Sequence, residues 1–160
     1  MAGAIRLARL RVTVAAPRDL CFEVVASAGE TLEKRPDGTR VVRFTTTVGR
    51  REVQTTELVV TEAPERIRYS WLEGPLPEVD EVISFLDTGG GTELVYEGRV
   101  RAGRGPIKWL YGRVVVKPVF ERLVREHLEQ AKEIAQLRAR RSRVYRRSTG
   151  GSEGHDTAGG

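Results

Sequence analysis

Three glutamates in strand-like segments, Glu57, Glu81 and Glu97, have side chains that could do acid–base chemistry. A carboxylate that faces an apolar cavity has a raised pKa and can act as a general acid or base. Strand alternation alone does not tell whether these side chains point inward or outward, and most glutamates in proteins are exposed. The sequence therefore supplies candidates for proton transfer and leaves the catalytic residues unassigned.

Nucleophiles and metal ligands are scarce in this chain. The two histidines, His127 and His155, and the single cysteine, Cys21, lie far apart and offer no metal-ligand spacing. His127 falls on a predicted helix, where a surface or structural role is favoured over catalysis. Cys21 falls on the apolar face of a short helix and is expected to be a buried, inert thiol. We expect no metal site and no cofactor.

Glycine-rich stretches in this sequence favour turns over phosphate binding. Residues 89–91 are three consecutive glycines between two strand-like segments, without the Gly-Lys-Ser/Thr ending of a phosphate-binding loop. A hairpin turn is therefore predicted there. Residues 103–105 (Gly-Arg-Gly) precede a predicted helix and are interpreted as a plain connection.

Short strands dominate the first two thirds of the chain. Apolar and polar residues alternate in the first segment, with a slip in phase at Ala8–Arg9 that a bulge would explain. Each later segment is rich in Val, Ile, Thr and aromatic residues and is bounded by Gly or Pro. The segments are residues 5–14, 41–48, 52–62, 67–72, 79–86 and 92–100. Two short helices are predicted after the first strand, near residues 19–29. With no helix between the later strands, the pattern predicts an antiparallel meander.

One long helix is predicted at the C-terminal end. From Ile107 to Arg140 apolar residues recur every three or four positions, and Pro118 is expected to kink the helix. The sequence thus predicts an α+β domain over residues 1–141, followed by a basic and then Gly/Ser-rich disordered tail over residues 142–160.

Positive charge is concentrated near the C-terminal end of the chain. The net charge is +5, but residues 137–160 carry six arginines against two acids, which leaves +1 for residues 1–136. The helix dipole favours basic residues at a helix end, and attraction to a membrane surface or RNA is the alternative interpretation. The residues that would make that weak contact are Arg138, Arg140, Arg141, Arg143, Arg146 and Arg147. No DNA binding is predicted. With no apolar run long enough to span a membrane, a cytoplasmic location is expected.

Several segments together resemble the START-like (polyketide cyclase/dehydrase, SRPBCC) superfamily. They are residues 12–25 (VTVAAPRDLCFEVV), residues 62–67 (EAPERI) followed by Trp71 and Gly74, residues 87–92, and residues 118–122 followed by Leu128 and Lys132. The resemblance covers about residues 5–140. It implies a helix-grip fold, in which a curved antiparallel sheet of about seven strands wraps around a long C-terminal helix. It also implies a cavity between sheet and helix that holds a hydrophobic or amphipathic small molecule.

Aromatic and aliphatic side chains with suitable periodicity are the candidates for the cavity wall, although each could equally fill the core. On the strands they are Phe44, Tyr69, Trp71, Ile83, Phe85, Leu94 and Tyr96. On the long helix they are Trp109, Leu110, Val114 and Phe120.

Three functions are compatible with this sequence. The first is binding, with transport or sequestration, of a lipid, quinone or polyketide. The second is a cofactor-free cyclase or dehydratase, which requires an ionisable side chain in the cavity. The third is an interaction module that uses the C-terminal arginines.

Overall fold

A computed structural model describes residues 3–149, apart from the side chains of Tyr145, Ser148 and Thr149. Eight strands and an N-terminal helix precede a long C-terminal helical region. In chain order the elements are β1 (Ile5–Arg6), β2 (Leu10–Val14), α1 (Arg18–Ala26), β3 (Glu30–Lys34), β4 (Arg40–Val48), β5 (Arg51–Glu62), β6 (Arg66–Glu73), β7 (Glu78–Asp87), β8 (Thr92–Arg101), α2 (Pro106–Tyr111), a π-helical turn (Gly112–Val116) and α3 (Lys117–Thr149).

All strand pairs in the sheet are antiparallel. The order is β1-β8-β7-β6-β5-β4-β3, and β2 also pairs with β8. The predicted meander is therefore confirmed, and the hairpin between β4 and β5 turns at Gly49–Arg50 as predicted. The slip in phase at Ala8–Arg9 is real, because the first strand divides there into β1 and β2.

Two elements near the N-terminus differ from the prediction. The chain forms one short helix after the first strands instead of two, because it turns at residues 27–29 directly into β3. Gly29 has a φ of 80°, and a Cβ there would lie 2.6 Å from Cγ1 of Val42. The strand β3 is absent from the prediction since all five of its residues are exposed and it lies at the sheet edge against β4 alone. Its sequence, ETLEK, carries no inward-facing apolar face for alternation to reveal.

The predicted long C-terminal helix is confirmed. The helices α2 and α3 join through the π-helical turn, which ends two residues before Pro118, where a kink is predicted. Proline lacks the N–H that an α-helical turn needs, and such irregularities concentrate at these positions. The helix continues to Thr149, beyond its predicted end at Arg140, since arginine is a good helix former. The final part of the predicted tail, residues 150–160, lies outside the described residues.

The core fills one end of the space between the sheet and the helices. Helices α1 and α3 both pack there, against the buried faces of β2, β7 and β8. Phe22 of α1 packs edge to face on Phe85 of β7, with ring centroids 5.3 Å apart. This end is closed, and the opposite end of the sheet is left for a cavity.

Candidate functional site

A cavity of about 860 Å³ lies between the concave face of the sheet and the helical region. Its walls come from α1, strands β4 to β8, the loop after β6, and both helical segments that flank the π-helical turn. Most of the lining side chains are apolar, and the volume falls within the range typical of small-molecule sites. The cavity is open to solvent along one side, where exposed residues such as Lys108, Tyr111 and His127 form part of the lining.

Six of the candidate residues lie on the cavity wall. They are Phe44, Tyr69, Trp71, Ile83, Tyr96 and Phe120. Four of these rings form two aromatic contacts. Phe44 and Tyr69 pack edge to face with ring centroids 6.0 Å apart, and the ring centroids of Trp71 and Phe120 lie 5.9 Å apart. The sheet and α3 thus meet across the cavity through an aromatic pair.

Two strand candidates, Phe85 and Leu94, lie in the core instead. Each shares a strand face with a cavity residue, since Phe85 follows Ile83 by two positions and Leu94 precedes Tyr96 by two. Both are 1% exposed. The periodicity therefore identifies the correct face, but α1 covers this end of it and leaves no open space.

Three helix candidates, Trp109, Leu110 and Val114, also lie off the wall. Trp109 packs against the core cluster, while Leu110 and Val114 are exposed at 55% and 62%. The helix turns a different face inward because Gly112 is buried, and a Cβ there would lie 2.7 Å from Cδ1 of Ile5.

Further lining residues were not among the candidates. On the strands, Val53 and Thr55 share the face of Glu57 at intervals of two residues, so alternation on β5 would have revealed them. On α3, Leu123, His127 and Ile134 extend the apolar stripe into the cavity. His127 is exposed on one side, and its partial burial lowers its pKa from the usual 6.5.

Two of the three candidate glutamates line the cavity. Glu57 is 6% exposed and accepts a hydrogen bond at Oε1 from the Thr55 hydroxyl, at 2.7 Å. Glu81 accepts one at Oε1 from the Tyr96 hydroxyl, also at 2.7 Å. Glu97 instead points outward and forms a salt bridge with Arg9 at 3.2 Å.

The sheet register brings the two cavity glutamates to neighbouring positions. Glu57 on β5 lies opposite Trp71 on β6, and Glu81 on β7 lies opposite Tyr69, two residues along the same strand. No basic side chain within the described residues forms an ion pair with either carboxyl group. The two cavity acids therefore lack an ion-pair partner within the described residues, although Lys108 also belongs to the lining.

Burial raises the pKa of both cavity glutamates. It raises the pKa of Glu57 to about 8, with a further contribution from the negative charge of Glu81. Burial also raises the pKa of Glu81 to about 7, against the opposing effects of the Tyr96 hydroxyl and the Trp71 indole N–H. Because the two groups interact, they titrate as a pair, and near neutral pH this pair retains a proton.

A glycine makes room for the Tyr96 hydroxyl. Gly98 lies opposite Glu81 in the sheet, and a Cβ at Gly98 would stand 2.5 Å from the Tyr96 hydroxyl oxygen. Burial and the nearby acids raise the pKa of Tyr96, so this hydroxyl remains protonated and acts as a donor to Glu81. The Trp71 indole nitrogen is buried near Glu81 but makes no hydrogen bond of ordinary geometry among the described residues.

Other features singled out in the sequence have structural roles. Cys21 is 2% exposed, and burial raises the pKa of its thiol. Residues 89–91 form the hairpin turn between β7 and β8, as predicted, beside a smaller cavity of about 430 Å³ that Asp19 and Asp87 also line. Among residues 3–149, no three side chains of His, Cys, Asp or Glu come together to hold a metal ion.

The C-terminal arginine run belongs to the last turns of α3. All six arginines, from Arg138 to Arg147, are exposed, and Arg143 reaches the smaller cavity near the start of α1. Exposed arginines at a helix C-terminus are what the helix dipole favours. Within the described part of the chain, no helix is both long and apolar enough to cross a bilayer.

The architecture recurs in solved structures with low sequence identity. TTHA0849 from Thermus thermophilus matches with a TM-score of 0.69 at 19% identity, over 84% of this chain and 99% of that one. The Zhui aromatase/cyclase from Streptomyces sp. R1128 matches with a TM-score of 0.64 at 22% identity, over 89% and 96%. A START superfamily protein from Mycobacterium smegmatis matches with a TM-score of 0.62 at 17% identity, over 87% and 99%.

Neither a protein-family profile nor a curated protein sequence matches the chain. The structural likenesses establish the fold: this chain has a START-like, helix-grip fold, in which an antiparallel sheet of eight strands holds a long C-terminal helix.

Proposed function

We propose that this protein binds a hydrophobic or amphipathic small molecule in the cavity between the sheet and α3. The observation that carries the proposal is an apolar cavity of about 860 Å³ between the sheet and α3 in a small domain. Protein interiors normally pack to high density, and an unfilled void lowers stability because its lining loses packing contacts. An apolar ligand would replace the missing contacts.

The polar wall sets the expected chemistry of the ligand. The hydroxyls of Thr55 and Tyr96 already donate to Glu57 and Glu81, so the free sites at this wall are mainly carboxyl oxygens. A ligand with a hydroxyl or amine donor would complement them. A ligand carboxylate at the same place would bring a third acid to an uncompensated pair and is disfavoured.

A dye-displacement assay tests the binding proposal. The neutral dye N-phenyl-1-naphthylamine would be bound first and then displaced by three ligands with the same twelve-carbon chain: an amine, an alcohol and a carboxylate. We expect saturable dye binding and displacement by the amine and the alcohol at lower concentrations than by the carboxylate.

A matched pair of variants controls that assay. Ile83 lines the cavity, whereas its neighbour on β7, Val82, is not part of the lining. Ile83→Trp would fill part of the cavity and should weaken dye binding at least tenfold, while Val82→Trp should leave it unchanged. Equal binding by the two variants, or no saturable binding by the unmodified chain, would refute the proposal.

A second candidate function is cofactor-free proton-transfer catalysis of the cyclase or dehydratase kind. The observation that favours it is the pair of cavity acids, whose raised pKa values suit proton transfer near neutral pH. One structural neighbour is an aromatase/cyclase, and chemistry of that kind needs an acid or base beside the substrate.

The base activity of the cavity can be tested with an aromatic carbon acid. In 5-nitrobenzisoxazole, a carboxylate removes the ring C–H proton while the N–O bond breaks to give a cyanophenolate. We expect a rate above that of acetate in solution, which falls in Glu57→Gln and Glu81→Gln but not in Glu97→Gln. If the three variants react at equal rates while still binding dye, the protein is a binding protein without this activity.

A further inference from the structure

An apolar stripe on the α2 region faces solvent. It consists of Ile107, Leu110, Tyr111, Val114 and Val115, and we refer to it as the α2 stripe. These side chains are exposed at 82%, 55%, 52%, 62% and 44% respectively. Their spacing is that of a helix face which normally packs on a protein core. Five large exposed apolar residues in nine positions form a patch of the kind that marks an interaction site.

The α2 stripe is exposed because the opposite face of the same segment is already packed. Gly112 is buried against Ile5 and Ala102, and Trp109 and Val116 pack on the core cluster. The helix therefore cannot rotate the stripe inward without losing these contacts. This segment is therefore apolar on two opposite faces, and the rest of the protein covers only one of them.

Positive charge surrounds the α2 stripe. Between Glu97 and Glu121 the chain carries six basic residues and no acidic one. Three of the six reach carboxylates elsewhere: Arg99 with Asp80, Arg101 with Glu78 and Lys117 with Glu121. The other three are Arg104, Lys108 and Arg113, none of which has a carboxylate within ion-pair distance among the described residues.

These three cations are exposed and lie on the same helical segment as the stripe or just before it. Arg113 stacks over the Trp109 ring at 5.5 Å, which keeps its guanidinium beside the segment. An exposed apolar helix face flanked by uncompensated cations is the pattern of a helix that lies in the interface of an anionic bilayer.

We propose that the α2 stripe, with Arg104, Lys108 and Arg113, docks this domain on the surface of an anionic lipid bilayer. The apolar side chains enter the headgroup boundary and the three cations contact lipid phosphates. Tyr111 and Val115 belong both to the stripe and to the cavity lining, so docking brings the cavity edge to the bilayer. The docking itself does not depend on the cavity holding a ligand.

Charge argues against a second copy of the chain as the occupant. A two-fold contact through the α2 stripe would bring two sets of the three cations face to face. That repulsion is absent at an anionic bilayer, whose surface potential attracts each basic side chain.

Vesicle co-sedimentation tests the proposal. The full chain is mixed with vesicles of phosphatidylcholine alone and with vesicles that contain one third phosphatidylglycerol. The stripe variant is Leu110→Asp with Val114→Asp, and its control is Leu72→Asp with Leu86→Asp, two leucines exposed at 52% and 46% outside the stripe. The charge variant replaces Arg104, Lys108 and Arg113 by Gln. Its control replaces Arg138, Arg140 and Arg141 by Gln.

We expect binding to the anionic vesicles that high salt weakens, and little binding to phosphatidylcholine. The charge variant should lose on the order of 100-fold in partition, which is about 3 kcal/mol for three cations. The stripe variant should lose at least tenfold, and both controls should bind normally. Circular dichroism and unchanged dye binding by the stripe variant would show that it is folded and that its loss is separate from the proposed cavity function.

Three results would overturn the proposal. One is undiminished anionic-vesicle binding by both variants. Another is loss of binding in the Arg138, Arg140 and Arg141 variant alone, which would place the contact on α3. The third is a dimer in sedimentation analysis that the stripe variant converts to a monomer, without vesicle binding by the unmodified chain; this would assign the α2 stripe to a second copy.

Discussion

Glu57→Gln should make the protein more stable at alkaline pH while changing it little at acidic pH. Glu57 is 6% exposed, and burial raises its pKa from 4.5 to about 8. Gln is nearly isosteric, and its carbonyl oxygen can still accept the hydrogen bond from Thr55. The substitution therefore removes the ionisation and keeps the neighbouring contact.

The direction of this stability change follows from the pH ranges in which Glu57 binds a proton in the folded and in the unfolded chain. Below pH 4.5 the Glu57 carboxyl is protonated in both the folded and the unfolded chain, and burial costs least. As the pH rises from 4.5 to about 8, the unfolded chain ionises first, so the folded state loses stability across this window. Gln does not ionise, so the variant should escape that loss.

The magnitude follows from the size of the pKa difference. At ~1.4 kcal/mol per pH unit, the interval from 4.5 to about 8 corresponds to roughly 5 kcal/mol. Part of this difference is already present at pH 5, and the cavity admits water, which screens part of the charge, so we expect Glu57→Gln to gain roughly 2–4 kcal/mol over the unmodified chain between pH 5 and pH 9.

Urea denaturation at pH 5, 7 and 9 measures this difference. Glu97→Gln is the matched control, because Glu97 is exposed and its salt bridge with Arg9 lies on the surface. That variant should follow the pH dependence of the unmodified chain within about 1 kcal/mol. If Glu57→Gln did so as well, the placement of Glu57 in the apolar cavity would be wrong.

Four further substitutions test the packing around the site. Tyr96→Phe removes the hydroxyl that donates to Glu81, so it should raise the pKa of Glu81, measurable by carbon NMR, and cost about 1–2 kcal/mol in urea denaturation. Gly98→Ala would place a methyl group 2.5 Å from that hydroxyl oxygen; it should cost roughly 1–3 kcal/mol and shift the pKa of Glu81 in the same direction. Phe85→Ala should cost about 3–5 kcal/mol in thermal or urea unfolding, because the ring is 1% exposed against Phe22. Leu110→Ala, at a side chain that is 55% exposed, should change the free energy of unfolding by no more than about 0.5 kcal/mol. If Leu110→Ala cost more than Phe85→Ala, the placement of these two side chains would be wrong.

The strand faces could be predicted because alternation is a local property of the sequence. Phe44, Tyr69, Trp71, Ile83 and Tyr96 all lie on the concave face where the period of two places them. The division of that face into closed core and open cavity depends on which end α1 covers, and no local pattern in the strands encodes that. Phe85 is therefore indistinguishable from Ile83 in the sequence.

Local sequence patterns could not predict which way the glutamates and the helical region face, because register and tertiary packing decide it. Glu57 and Glu97 look alike as strand glutamates, yet the register places one inside and lets the other pair with Arg9 on the surface. In the helical region, Leu110 and Val114 follow the period of a buried face, but the segment is apolar on both sides. The close approach permitted by Gly112 decides which side packs inward.

Native mass spectrometry of the chain purified from its own host most directly tests whether the cavity holds a small molecule. We expect a bound species of defined mass that remains in Val82→Trp and is absent from Ile83→Trp, since only the second substitution fills the cavity. An adduct equally abundant in both variants, or a chain that carries none and also fails to bind the neutral dye, would contradict the ligand-binding account.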